Sequence, residues 1–165
     1  MKTLILVRHA KSSWDHAGLS DNERPLNERG KKDAPEMAQR VKDRGVTIGL
    51  FVSSTAKRAK KTARYFAEAF DVDKEKIQLV EALYLATDEA FKETVASLDD
   101  EYSSAALFSH NPGITEFASS LSNVRVEDMP TCAVFAVQSE ADSWKEFGQS
   151  DKKFLFFDYP KNPLP

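Results

Sequence analysis

The sequence has one cysteine, no long apolar run and no excess of positive charge. Because Cys132 is alone, an intramolecular disulfide is impossible, which fits a reducing compartment. No stretch approaches the ~20 consecutive apolar residues of a membrane span, and the apolar run after Lys2 is too short for the core of a signal peptide. The net charge of -3 gives no reason to expect a nucleic acid or a membrane as partner. We therefore expect a cytoplasmic protein in which any anion site is a local concentration of positive charge.

The 165 residues suffice for one domain, spanning 1–165, with a sizeable core. Short apolar runs alternate with amphipathic segments, which predicts an α/β fold: a three-layer sandwich with a central, mostly parallel sheet flanked by helices. The last two strands lack a helical pattern between them and are expected to pair antiparallel. The predicted strands are 4–7, 50–52, 77–80, 105–108, 132–137 and 154–157.

Residues that favour helix ends give two local expectations. Asn27 is expected to cap the first helix, and Pro35 either kinks that helix or marks its true first turn. Asn111 is expected to cap a later helix, with Pro112 at its first position.

Three of the predicted strands end in polar or charged residues. Because the carboxyl ends of parallel strands lie at one edge of a sheet, these residues are expected to converge there. Guanidinium groups match the geometry of phosphate, and helix N-termini attract anions, so the pattern predicts a pocket for a phosphate dianion. The residues are Arg8 and His9 after the first strand, 53–55 and then Arg58 after the second, and Ser109 and His110 after the fourth.

These residues lie in motifs that resemble the signature of the histidine phosphatase superfamily. The motifs are LVRHA at 6–10, SSTAKRAKKTA at 53–63 and FSHNP at 108–112. The short chain and the segment RPLNERG at 24–30 narrow the resemblance to the SixA-type phosphohistidine phosphatases. The resemblance implies a phosphoglycerate mutase-like fold and a phosphatase that uses neither a metal nor a cofactor.

The resemblance also implies roles for individual residues. His9 attacks phosphorus and carries the phosphoryl group as a phosphohistidine. Arg8, Arg58 and His110 hold the phosphoryl oxygens. The implied substrate is a phosphorylated protein, most specifically a protein phosphohistidine, or a small phosphate ester. Further substrate contacts are expected from Lys11, Ser109 and Asn111.

The general acid is the least determined part of the site. Many members of the superfamily use a carboxylate after the third strand, where Glu81 is the candidate by position. Asp21 is its main rival in the first loop, beside Asp15 and Glu23. A phosphohistidine substrate reduces the need for an acid, because imidazole is a better leaving group than an alkoxide.

Two surface features have a structural and a functional interpretation. Trp14 is expected to anchor the first loop rather than to contact substrate. The cations Lys57, Lys60, Lys61 and Arg64 are expected to form a solvated helix face, and the alternative is a rim that attracts an acidic phosphoprotein.

Three other functions stay open from the sequence. The first is a small-molecule phosphomonoesterase with the same site. The second is a cofactor-dependent mutase, which is disfavoured because the mutases that the chain resembles are longer. The third is a phosphate-binding module that has lost turnover, which the intact set of Arg8, His9, Arg58 and His110 argues against.

Overall fold

The computed structural model describes residues 1–162, which form a mixed sheet with helices on both faces. None of the helices in this range is long and apolar enough to cross a membrane. The strands are β1 (Lys2–Arg8), β2 (Leu50–Ser53), β3 (Gln78–Leu79), β4 (Ser104–Ser109), β5 (Val134–Ser139) and β6 (Lys152–Asp158). The helices are α1 (Glu28–Asp43), α2 (Lys57–Ala69), α3 (Asp88–Ala96), α4 (Gly113–Leu121) and the short α5 (Trp144–Phe147).

The strand order of the sheet is β3-β2-β4-β1-β5-β6. Strands β3, β2, β4 and β1 are parallel, whereas β5 runs antiparallel to β1 and β6 antiparallel to β5. The predicted α/β fold is confirmed, including the antiparallel pairing of the last two strands. Because β4 lies between β2 and β1, the carboxyl ends of these three strands are side by side.

Strand β1 has apolar residues on both faces. Leu4 and Leu6 pack into the core on the side of α3, α4 and α5, while Ile5 and Val7 pack against α1 and α2. All four side chains are fully buried, and each contributes roughly 1.5–3 kcal/mol through loss of apolar surface. Burial on both faces explains why this strand is a continuous apolar run rather than an alternating one.

The start of α1 follows the sequence prediction for its cap. The Asn27 side chain accepts a hydrogen bond from the Gly30 amide at 2.8 Å. A Cβ on Gly30 would lie 2.2 Å from the Lys11 carbonyl oxygen, so only glycine allows this turn to pack against the loop after β1. Since the helix already begins at Glu28, Pro35 lies inside it, and the idea that Pro35 marks the first turn is wrong.

The start of α4 differs from the prediction. Its N-cap is Pro112 and no side chain caps it. The Asn111 side chain instead accepts a hydrogen bond from the Thr115 hydroxyl and donates to the Met129 carbonyl at 3.0 Å. Asn111 is therefore not the helix cap, because its amide tethers the chain segment before β5.

Candidate active site

The register of the parallel strands brings the two histidines together. Arg8 of β1 is aligned with Ser109 of β4, so the next residue of each chain segment, His9 and His110, leaves the sheet at the same level. The His9 amide donates to the Ser109 carbonyl at 3.1 Å. The imidazole centroids lie 5.0 Å apart.

A cavity of about 300 Å³ opens at this edge of the sheet. Six of the residues predicted for the site line it, and four further residues complete the wall. The lining contains four cationic side chains and two imidazoles but no carboxylate. The predicted residues are Arg8, His9, Lys11, Arg58, His110 and Asn111, and the others are Ser12, Trp14, Arg24 and Thr131.

His9 is held as a neutral imidazole with one free nitrogen. Its Nδ1 lies 2.7 Å from the Ala10 carbonyl oxygen, which can only accept, so Nδ1 is the donor. The Nε2 lone pair of the neutral ring is then available for attack. Burial lowers the pKa of His9 to about 3, and the cationic Arg58 and Arg8 nearby act in the same direction. His9 therefore presents an unprotonated Nε2 at neutral pH, as the predicted role of a nucleophile requires.

The backbone after His9 is fixed by α2. The Ala10 amide donates to the Thr62 hydroxyl at 2.9 Å, and this hydroxyl donates to the Arg58 carbonyl at 2.8 Å. Thr62 thus connects the His9 loop to the turn of α2 that carries Arg58. The sequence placed Thr62 in the second motif but gave no sign of this contact.

The guanidinium groups of Arg8 and Arg58 are anchored from behind. Arg8 Nη1 donates to the Met129 carbonyl at 2.9 Å. Arg58 donates from Nη1 to the Asp21 carbonyl at 2.6 Å and from Nη2 to the Asp21 carboxylate at 3.0 Å.

Several polar atoms beside the cavity are buried without a partner. Within residues 1–162, Arg8 Nε, Arg58 Nε and His110 Nδ1 make no hydrogen bond. Buried polar groups in folded proteins are nearly always hydrogen-bonded, and exceptions often mark a functional site. The concentration of such atoms on residues that line one cavity identifies this cavity as the candidate active site.

His110 is positioned by Ser54, one of the strand-end residues expected to converge here, and by Tyr84, which the sequence did not single out. Its Nε2 lies 2.7 Å from the Ser54 hydroxyl, directly after β2, and its ring meets the Tyr84 ring edge-on at 5.5 Å. Burial lowers the pKa of His110 to about 3, with the charge of Arg58 as a further cause. Ser54 could have been suspected only from its place at a strand end.

Neither of the two main candidates for the general acid, Glu81 and Asp21, lines the cavity. Glu81 is exposed in a 3-10 helix, Glu81–Leu83, and does not line the cavity. The Asp21 carboxylate accepts hydrogen bonds from the Tyr84 hydroxyl, from Arg58 and from Arg24. The bond from Tyr84, followed by those from the arginines, lowers the pKa of Asp21 to about 2. Asp21 is thus ionised at neutral pH and accepts a hydrogen bond from Arg58.

Two further expectations fail for a clear reason. The Ser109 hydroxyl is fully buried and donates to the Leu83 carbonyl at 2.6 Å, so it does not reach the cavity. Trp14 is not a buried anchor, because it is 79% exposed at the rim with the Arg24 guanidinium 3.5 Å from its ring centroid. Stacking on a guanidinium, rather than burial, holds this indole.

The pKa values of the two site histidines give a direct test. Both pKa values are lowered from 6.5 to about 3, so both rings stay neutral as the pH falls from 8 to about 4.5. In NMR spectra of protein with labelled histidine rings, the signals of His9 and His110 should not titrate in this range. A His16→Asn variant removes the third histidine and simplifies assignment. A titration of His9 centred near pH 6.5 would contradict the proposed resting state of the nucleophile.

Comparison with known proteins shows the family to which this chain belongs. The family model described as histidine phosphatase superfamily (branch 1) matches residues 4–125. An uncharacterised chloroplastic protein of Arabidopsis thaliana is 32% identical over 153 residues, which cover 88% of this chain and 70% of that protein. A 2,3-bisphosphoglycerate-dependent phosphoglycerate mutase of Mesorhizobium japonicum is 34% identical over 70 residues, only 34% of its length.

Solved structures match over nearly the whole chain. A structure from Agrobacterium tumefaciens, assigned as the phosphohistidine phosphatase SixA, has a TM-score of 0.79 at 25% identity, covering 96% of this chain and 98% of that chain. The protein histidine phosphatase SixA in complex with tungstate has a TM-score of 0.80 at 20% identity, covering 96% and 97%. The chain therefore belongs to the histidine phosphatase superfamily, as an enzyme of its SixA type.

Proposed function

We propose that this enzyme removes the phosphoryl group from protein phosphohistidine through a covalent intermediate on His9. The observation that carries the proposal is the composition of the cavity: three guanidinium groups, one ammonium group and two neutral imidazoles surround it, and no carboxylate lines it. This set of groups can bind and transfer a phosphoryl group without a metal, because side chains provide the positive charge.

The reaction follows from the positions of these groups. His9 Nε2 attacks phosphorus, the bond from phosphorus to the substrate nitrogen breaks, and the electron pair of that bond stays on the leaving nitrogen. Arg8, Arg58 and His110 hold the phosphoryl oxygens, and the unpartnered Nε atoms of both arginines gain acceptors nearby. Water then attacks phospho-His9 and releases phosphate, which restores the free Nε2. Covalent capture divides one difficult step into two easier ones.

The lack of an acid in the cavity supports a nitrogen leaving group. An alkoxide must be protonated as it leaves, and a positioned acid contributes roughly 10²–10⁴-fold to such steps. A phosphohistidine whose other ring nitrogen carries a proton expels neutral imidazole and needs no acid from the enzyme. Glu81 lies outside the cavity and Asp21 is ionised, so the site suits phosphohistidine better than an alkyl phosphate.

Similar proteins support the same substrate class. Both of the solved structures described above carry the name SixA, the first as a phosphohistidine phosphatase and the second as a protein histidine phosphatase. The second contains tungstate, an oxyanion of the kind that a phosphate site binds.

A panel of substrates tests the proposal. We expect kcat/KM for a phosphohistidine protein to exceed that for sugar phosphates and phosphoserine peptides by about 100-fold or more, because only the phosphoesters need a general acid. Glu81→Gln should leave kcat/KM unchanged for every substrate, and it serves as the matched carboxylate control. If a sugar phosphate has the highest kcat/KM, the substrate is a small phosphomonoester and not a phosphohistidine. Failure to hydrolyse even an aryl phosphate would indicate a phosphate-binding module.

A further inference from the structure

A second concave surface, which we call the α2 groove, lies beside the active-site cavity. It has a volume of about 530 Å³, and its wall carries five cationic side chains and one carboxylate. The chain as a whole has a net charge of -3, so positive charge is strongly concentrated here. The charged residues of the groove are Lys31, Lys57, Lys60, Lys61, Arg64 and Glu23.

The cations of α2 are arranged in a way that does not favour the helix itself. Lys57, Lys60, Lys61 and Arg64 follow the spacing i, i+3, i+4 and i+7 and therefore share one face, where like charges repel. They also begin in the first turn, where the helix dipole favours acidic residues, and this turn holds none. The N-cap, Ala56, provides no side-chain hydrogen bond either. A feature that opposes local stability on several counts is a candidate for function.

These cations are available to a partner. Lys57, Lys61 and Arg64 are exposed. Within residues 1–162, no carboxylate lies within 4.0 Å of the cationic groups of Lys57, Lys60, Lys61 or Arg64. Their charges are therefore not neutralised inside the protein.

The groove and the cavity are lined by neighbouring residues of the same two chain segments. Arg58, which lines the cavity, lies between Lys57 and Lys60 of the groove on the same helix. Arg24, also in the cavity, lies between Glu23 and Pro25 of the groove. A protein whose phosphorylated side chain enters the cavity can therefore place its neighbouring surface over the α2 groove.

We propose that the α2 groove is the docking surface for an acidic segment next to the phosphohistidine of a protein substrate. The inference rests on the proposed function, and it further specifies that the substrate surface beside the phosphohistidine is acidic. Complementary charge raises the association rate and selects partners, whereas the chemistry in the cavity stays the same. A free phosphate ester is too small to span both surfaces, so the groove distinguishes a protein from a metabolite.

The test compares peptide substrates with charge-reversed enzyme. Two phosphohistidine peptides carry either glutamates or lysines beside the modified residue. At low ionic strength, the wild-type enzyme should turn over the acidic peptide with about tenfold higher kcat/KM, mainly through KM. In a Lys57→Glu/Lys61→Glu variant this preference should vanish or reverse, while hydrolysis of an aryl phosphate stays unchanged. The salt dependence of kcat/KM for the acidic peptide should also flatten.

A stability measurement and a matched control complete the design. Because the substituted lysines repel one another in the first turns of α2, the variant should have a higher melting temperature than the wild type. Lys145→Glu/Lys153→Glu reverses two exposed lysines in α5 and β6 and should not alter the preference.

The results that would contradict the docking surface differ from those that would contradict the proposed function. An unchanged preference in the Lys57→Glu/Lys61→Glu variant overturns the docking surface and leaves the proposed function intact. A parallel loss of aryl phosphate hydrolysis also overturns it, since it would assign these lysines to catalysis. If the groove binds an oligonucleotide tightly and the enzyme shows no preference for the acidic peptide, the partner of the groove is a nucleic acid and not a protein. If neither phosphohistidine peptide is a substrate of the wild type, the proposed function itself fails.

Discussion

Replacement of His9 by alanine should lower kcat by about 10⁴-fold or more, since loss of a nucleophile removes the covalent route entirely. Binding of inorganic phosphate should persist, because Arg8, Arg58 and His110 remain. The matched control is His16→Ala, which removes an exposed histidine of the first loop and should keep full activity. Steady-state hydrolysis of an aryl phosphate measures both variants. A His9→Ala enzyme with more than a few per cent of wild-type turnover would exclude His9 as the nucleophile.

The same substitution changes the response of stability to acid. The pKa of His9 in the folded state, about 3, lies below the value of about 6.5 in the unfolded chain. Protonation therefore favours unfolding, and the contribution of His9 to stability is lost as the pH falls from 6.5 toward 3. Denaturation at pH 7 and pH 4.5 should show a smaller acid-induced loss of stability in His9→Ala than in the wild type.

Replacement of Arg58 by alanine should lower kcat/KM by about 10³-fold, in the range of arginines that stabilise phosphoryl transfer. Arg58→Lys should recover only a small part of this loss, because an ammonium group cannot reproduce the planar fork. Arg64→Ala, on the same helix but exposed, should hydrolyse an aryl phosphate like the wild type. An Arg58→Ala enzyme within tenfold of the wild type would remove Arg58 from the phosphoryl-binding set.

Asp21 gives a related prediction, because its carboxylate accepts a hydrogen bond from the Arg58 guanidinium. The side chain of Asp21 does not line the cavity, so Asp21→Asn should have a smaller effect, about tenfold, through a less fixed guanidinium. An acid that donates a proton would behave differently: its loss would slow alkyl phosphates far more than phosphohistidine. Equal slowing of both substrate classes is the signature of a positioning residue.

The sheet and the meeting of its strand ends could be predicted from the sequence, because both depend on local patterns. The apolar run before Arg8 is typical of a strand buried on both faces, and parallel strands bring their carboxyl ends to one edge. Each of the four main site residues lies at the end of such a strand, directly after it or in the helix that follows it: Arg8, His9, Arg58 and His110. Their convergence in one cavity follows from the register of β1, β4 and β2.

The parts that could not be predicted depend on contacts between distant residues. Ser109 is turned away from the cavity by the Leu83 carbonyl, 26 positions earlier in the chain. The pKa of Asp21 is lowered by hydrogen bonds from Tyr84 and from Arg58, which lies 37 positions later in the chain. Asn111 is drawn from its expected cap by Thr115 and by Met129. Side chains with several possible partners are fixed by packing, and neither periodicity nor a motif records which partner is chosen.

The most direct measurement follows the phosphoryl group itself. The enzyme is mixed with a protein that carries labelled phosphohistidine, quenched in alkali within a single turnover, and digested to locate the label. We expect the label on His9, in a bond that is stable to alkali and labile to acid, and we expect this label to decay to free phosphate. Label on any other residue, or free phosphate formed without a labelled enzyme at any time, would contradict it.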